Sequence, residues 1–197
     1  MKKSLIIFLA FVFFTPIIAQ TKTNLEKVYQ LIDNSVSNIV SHAKSDTEIT
    51  LSIIGPSYIN LLKPKIFESF SKNGFIIKND NTGNSSEVTY SLSQTNIEYG
   101  DVEKDGLFGS LFCERNVSLK GILTLALKDG SVKSSELNEI SKDTIKVDEI
   151  KNLEDSGFPF TQGAKPEVSF FENLLEPILV VATLVTTVIL LFTIRGK

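Results

Sequence analysis

Side chains that carry enzymatic chemistry are scarce in this sequence, which holds a single histidine, His42, and a single cysteine, Cys113. One imidazole supplies neither a histidine pair for a transition metal nor a base for a nucleophilic triad whose other members are spaced to meet it. No G-x-S-x-G, P-loop or G-x-G-x-x-G spacing occurs, and Gly106-Leu107-Phe108-Gly109 has the wrong interval. Carboxylates are plentiful, with Asp143, Asp148, Glu149, Glu154 and Asp155 close in sequence. Two facing acids would suffice for general acid–base cleavage of a glycan. These five, however, alternate with Lys142, Lys146 and Lys151, the pattern of a solvated helix face, and no D-x-D-x-D-G loop supports calcium. The sequence therefore assigns no catalytic residue, cofactor-binding residue or metal ligand. Cys113 reads as a small buried hydrophobe in a strand.

One segment carries apolar side chains where a loop is expected. Between two long strands, residues 100–112 place Leu107, Phe108, Leu111 and Phe112 around Gly106 and Gly109. Aromatic residues on a hairpin tip are costly to expose without a use, so they read as a docking loop for a protein partner or the bilayer surface. The competing reading folds them back over the sheet edge as an extension of the core.

The elements that position these residues follow from periodicity. Thr23-Asn24-Leu25-Glu26 is a capping box, and Leu25, Val28, Ile32, Val36 and Ile39 recur at helical intervals to about Ala43. Residues 49–54 alternate as a strand ended by Gly55-Pro56. A second helix is predicted over residues 57–73, with Ile59, Leu62, Ile66, Phe67 and Phe70 on one side and Gly74 as its stop. Pro64 inside it predicts a kink or a late start. A short strand at residues 75–78 precedes two long ones. Val88, Tyr90 and Leu92 share one parity and Ile97 and Tyr99 the other, so a bulge is expected at residues 93–96. Val117, Leu119, Leu123, Leu125 and Leu127 define a strand from about Arg115 to Lys128. Asp129-Gly130 turns it into a returning strand over residues 131–139, and Val147, Ile150 and Leu153 face inward from a short closing helix. The order predicts an α+β two-layer sandwich, with helices on one face of a mostly antiparallel sheet.

Three stretches carry a resemblance. The strand ending Ile53-Ile54-Gly55-Pro56, the helix leading into Phe70-Ser71-Lys72-Asn73-Gly74-Phe75-Ile76-Ile77, and the strand pair around Leu119-Lys120-Gly121-Ile122-Leu123 and Asp129-Gly130-Ser131-Val132 resemble the α/β module of bacterial envelope proteins. The types in question are the amino-terminal domain of the TolB translocation protein and the curli-secretion lipoprotein. The resemblance covers residues 48–136 and implies a structural or assembly role in the envelope without catalysis. This chain departs from those proteins in lacking a lipobox cysteine and a propeller, so no functional residue is carried over.

The two ends give an address. Met1-Lys2-Lys3, an uncharged stretch to Ile18 and Ala19-Gln20-Thr21 form the three regions of a secretory signal, with cleavage expected after Ala19. Residues 178–194 carry no charge and cover about 26 Å as a helix, which Leu174 and Leu175 extend toward the ~30 Å hydrocarbon core. Arg195 and Lys197 follow, where positive charge stays cytoplasmic. The expected organisation is a signal peptide (1–19), an extracytoplasmic domain (20–156), a linker and juxtamembrane segment (157–173), a transmembrane helix (174–194) and a cytoplasmic tail (195–197). Setting aside Lys2, Lys3, Arg195 and Lys197 removes four of the 20 basic side chains and none of the 23 acidic ones, so the domain is acidic and unsuited to nucleic acid. Ala182, Thr183, Thr186 and Thr187 form a small-residue stripe on the span, a face for association with itself or a partner helix. The functional expectation is a non-catalytic single-pass protein of the cytoplasmic membrane that displays a periplasmic binding or assembly domain to an envelope partner. The alternative is a membrane-tethered, carboxylate-dependent hydrolase of envelope glycans.

Overall fold

The computed structural model describes residues 20–40, 48–78, 85–106, 109–167 and 170–195. The opening segment, His42, Leu107, Phe108 and residues 196–197 lie outside the described residues.

Helix α1 spans Asn24–Val40 and opens on the capping box read from sequence. The Thr23 backbone N–H donates to Glu26 Oε2 at 2.7 Å, and the Glu26 N–H donates back to Thr23 Oγ1 at 3.2 Å. Strand β1 (Glu48–Ile54) leads to α2 (Ile59–Lys72), which contains Pro64 and buries Ile59, Leu62, Ile66 and Phe70. Phe67, expected on the same side, is 39% exposed. The end of α2 is a complete Schellman motif. Gly74 takes φ +90°, its N–H reaches Ser71 O at 3.0 Å, and the Phe75 N–H reaches Phe70 O at 3.2 Å. The rings of Phe70 and Phe75 meet at 5.7 Å, the apolar contact that accompanies this cap.

Strands β2 (Ile76–Lys78), β3 (Ser86–Lys104), β4 (Leu111–Ala126) and β5 (Val132–Lys146) complete a five-stranded sheet in the order β2-β1-β3-β4-β5. The sheet is mixed. β1 pairs in parallel with both neighbours over short registers, whereas β3–β4 and β4–β5 are long antiparallel ladders. The parity switch in β3 is a bulge between Leu92 and Gln94, which keeps Leu92 and Ile97 on the same buried face. Opposite it stands Gly121, where a Cβ would lie 2.2 Å from Ser91 O, so the strands can approach here only without a side chain. Helices α1 and α2 contribute to one core with the sheet, the α+β two-layer arrangement expected from sequence. Each Leu, Ile or Phe fully buried there contributes about 1.5–3 kcal/mol.

Three boundaries differ from expectation. The segment 100–112 is mostly ladder, because β3 continues to Lys104 and β4 begins at Leu111, leaving a connection of residues 105–110. β5 runs on to Lys146, past its predicted end at residue 139. Its inward positions Glu139, Ser141 and Asp143 are polar, so no apolar alternation marked it, and backbone pairing with β4 carries it through. Residues 158–161, assigned by their Pro and Gly content to a linker, are instead packed. Phe160 and Thr161 are buried, and the Phe160 ring lies 5.1 Å from that of Tyr58. A turn of 3-10 helix (Val147–Glu149) and α3 (Ile150–Leu153) bury Ile150 and Leu153 with Cys113 and Ile145 in a second, smaller cluster. Helix α4 (Phe170–Arg195) ends the described chain.

Leu119, fully buried at the centre of β4, tests this register. Leu119→Asp places an unpaired carboxylate in the core and should cost several kcal/mol, about the whole stability of a domain this size. A thermal melt equal to that of the parent protein would contradict the assignment.

Candidate functional site

The most demanding chemistry in the described residues is a buried guanidinium. Arg115 shares the inward parity of Val117 and Leu119 on β4 and has 0% exposure. Directly across the ladder, β5 presents Asp143. The pair is bidentate, with Nε to Oδ1 at 2.8 Å and Nη2 to Oδ2 at 2.6 Å. Nη1 donates to the backbone carbonyl of Lys22 at 2.9 Å and to Asn24 Oδ1 at 2.8 Å. Lys27 adds a second cation 3.1 Å from Asp143 Oδ2.

Asn24 passes the network onward. Its amide donates to the Thr161 carbonyl at 2.7 Å and to Tyr99 Oη at 2.8 Å. Tyr99 Oη donates to Glu154 Oε1 at 3.2 Å, which also accepts the Gly163 N–H at 3.0 Å. Burial pushes the Tyr99 phenol up to about 12, with Glu154 acting in the same direction and the Asn24 hydrogen bond opposing it. The arrangement joins the segment before α1, the long hairpin and the segment leading to α4. Its donors and acceptors are spent on one another, which makes it a clamp. The acids grouped in sequence do not converge on a pocket. Asp143 and Glu154 serve the clamp, Glu149 Oε2 accepts from Thr21 Oγ1 at 3.2 Å, and Asp155 accepts the Gly157 N–H at 2.8 Å. They sit on a strand and its following turns, which corrects the helix-face reading. Among the described residues no group of three or more His, Cys, Asp or Glu is placed to hold a metal ion.

One surface with room for a ligand lies beside the hairpin. A groove of about 440 Å³ runs between α1 and the β4–β5 ribbon, with Ser35, Leu123, Leu125 and Leu137 on its floor and Asn38 and Glu139 on its rim. Asn38 Nδ2 donates to Glu139 Oε1 at 2.9 Å across one wall. Beneath the groove, Ser35 Oγ and Tyr90 Oη are 3.0 Å apart. β5 is the outer strand of the sheet, so one side of its backbone has no strand partner among the described residues. This combination suits an extended segment of another chain, held by backbone pairing and an apolar contact.

The residues singled out from sequence are placed as follows. Leu111 and Phe112 are half-buried at the start of β4, paired with Lys104 and Glu103 of β3, and Phe112 also pairs with Lys146 of β5. Leu107 and Phe108 lie outside the described residues. Ala182, Thr183, Thr186 and Thr187 are exposed on α4. Thr183, Thr186 and Thr187 donate their hydroxyls to the carbonyls of Leu179, Ala182 and Thr183 at 2.7–2.8 Å, so those protons are used within the helix. Cys113 is buried, which pushes its thiol up, with Arg115 opposing. Sequence reading missed Arg115, although its parity with Val117 and Leu119 was a usable signal.

Burial alone would raise the Asp143 carboxyl, but the hydrogen bonds and charges of Arg115 and Lys27 outweigh it and hold the group below the ordinary range. A carboxyl lowered on folding stabilises the protein in full above its unfolded value of about 4, and this contribution is lost as pH falls through the folded value. Asp143→Ala strands a buried guanidinium and should cost about 3 kcal/mol at pH 7 in urea unfolding. The gap from the parent protein should narrow as pH falls below about 4 and close only below the lower folded value, where the parent also loses the carboxylate. A gap independent of pH would contradict the clamp.

No protein-family model matches this chain, and no curated protein matches it. Among solved structures it is similar to a minor lipoprotein from Acinetobacter baumannii, at 12% identity and a TM-score of 0.37, covering 67% of this chain and 87% of that one. It is also similar to rare lipoprotein B from Shewanella oneidensis, at 11% identity and a TM-score of 0.30, covering 73% of this chain and 98% of that one. At these scores the likeness transfers no activity, ligand or partner.

Proposed function

We propose that this chain is a non-catalytic single-pass membrane protein of the bacterial envelope, whose domain lies outside the cytoplasmic membrane and binds or assembles with an envelope partner. The observation that carries the reading is α4. Its segment Pro177–Ile194 has a mean hydropathy of 2.5 and none of it is buried against the domain. A large apolar side chain left in water forgoes about 1.5–3 kcal/mol of burial, and a bilayer supplies that burial along the whole segment. The helix also satisfies its own backbone, and its threonines satisfy their hydroxyls, as a lipid environment requires. Arg195 at the far end favours a cytoplasmic tail, which leaves the domain on the opposite side. The groove and the outer edge of β5 support the binding half of the reading.

Protease added to intact spheroplasts should digest the domain and leave a small membrane-held fragment containing Pro177–Ile194. Protection of the whole domain would overturn the topology. A photoreactive residue at Ser135 in the groove should form an adduct in native membranes that one at Glu68, on the exposed side of α2, does not. Equal labelling from both positions would remove the groove from the proposal.

A further inference from the structure

The direction in which the chain leaves the domain decides which end of the domain faces the membrane. β1 accompanies β3 only as far as Ile54 opposite Ser91, and Gly55-Pro56 then takes it away. Farther along the same side of β3, Ala164 forms a parallel bridge with Glu98. The returning chain therefore occupies the position that β1 vacated and runs the same way as β3, toward Lys104 and the β3–β4 connection. It is held there. The Thr161 carbonyl and Gly163 N–H are bound by Asn24 and Glu154, and a Cβ on Gly163 would lie 2.8 Å from Ile97 O and 2.9 Å from the Tyr99 ring. Only a residue without a side chain fits so close to β3. Lys165 precedes Pro166, which disfavours a helical turn and keeps the chain extended.

Reach then limits the geometry. The six steps from Ala164 to Phe170 span at most about 22 Å fully extended. The helix from Phe170 to Pro177 adds about 10 Å. The apolar window thus begins no more than roughly 32 Å past Ala164. Over the same direction β3 travels about 20 Å from Glu98 to Lys104. At most about 12 Å of reach remains past the end of β3, little more than the headgroup layer of about 5–8 Å on each side.

Resting on the membrane reading above, we infer that the β3–β4 end of the domain, carrying Leu111 and Phe112, is seated on the outer surface of the lipid bilayer, while the β4–β5 turn points away from it. The exit direction and the short tether select this end. Its half-buried Leu111 and Phe112 give an interface that headgroups and upper acyl chains accept. Asp101, Glu103 and Asp105 stand at this end beside Lys104 and Lys146, a mixed charge that suits a zwitterionic surface.

The test uses the full chain in phosphatidylcholine vesicles containing nitroxide-labelled lipid, with a fluorophore on Ser110→Cys, Val132→Cys or Val185→Cys. Ser110 lies in the β3–β4 connection, Val132 is 65% exposed beside the β4–β5 turn, and Val185 is within the apolar window. The buried Cys113 makes the unsubstituted chain the labelling control. Val185 should be quenched by deep nitroxides and Ser110 by headgroup-level ones, severalfold more than Val132. Quenching at Val185 with none at Ser110 beyond that at Val132 overturns the orientation alone. Loss of quenching at Val185 overturns the membrane reading and this inference with it.

Discussion

Arg115 has no contact with solvent, and a guanidinium taken out of water must be neutralised and hydrogen-bonded on every side or it destabilises the fold by several kcal/mol. Meeting that demand determines much else in the domain. Asp143 has to stand opposite it, so β5 must run well past the point where its apolar pattern ends. The Lys22 carbonyl and Asn24 must reach it, which brings the chain before α1 down onto the sheet. Asn24 in turn holds Thr161, so the segment leading to α4 is drawn into the same network. A buried ion pair of this kind is a poor source of net stability compared with a well-packed apolar cluster. What it contributes is geometry, because four of its N–H donors are met only when β5 and the segment before α1 are both in place.

That geometry also limits how far the domain can turn relative to α4. Here the chain remains packed through Thr161 and bridged at Ala164, and only residues 165–169 separate the bridge from α4. The outer strand follows the same logic of controlled exposure. β5 is long and would invite unspecific pairing if it were flat and apolar, yet it carries Glu139 and Asp143 on its inward side, engaged by Asn38, Lys27 and Arg115. Charges turned toward a core restrict which strands can be added beside them, so a partner using this edge must be matched to it.

The helices, most strands, both glycine-marked turns and the β3 bulge were legible from the order of residues, because each rests on local physics. The capping box at Thr23 and Glu26, the stop at Gly74 and the turn at Asp129-Gly130 are interactions between residues a few positions apart. The parity switch between Leu92 and Ile97 is visible in any window that spans it. The apolar window Pro177–Ile194 is a property of composition. These features give the α+β class and a candidate membrane span without any tertiary information.

The rest depended on partners far apart in the chain. Arg115 and Asp143 are each ordinary polar residues in sequence, and become a buried pair only when two strands align in register. The carboxylates after residue 142 read as a solvated helix face because their neighbours are lysines, whereas two of them are committed to a clamp by Arg115 and Tyr99. Residues 158–161 read as linker because Pro and Gly give no periodicity, and only the presence of Tyr58 and Asn24 shows where Phe160 and the Thr161 carbonyl belong. The sequence alone therefore determined the elements and the apolar span, since helix caps, turn glycines and hydrophobic periods act over a few residues. Tertiary structure alone decided which polar groups are buried and where the chain exits, since both are set by contacts between segments that meet only in the fold.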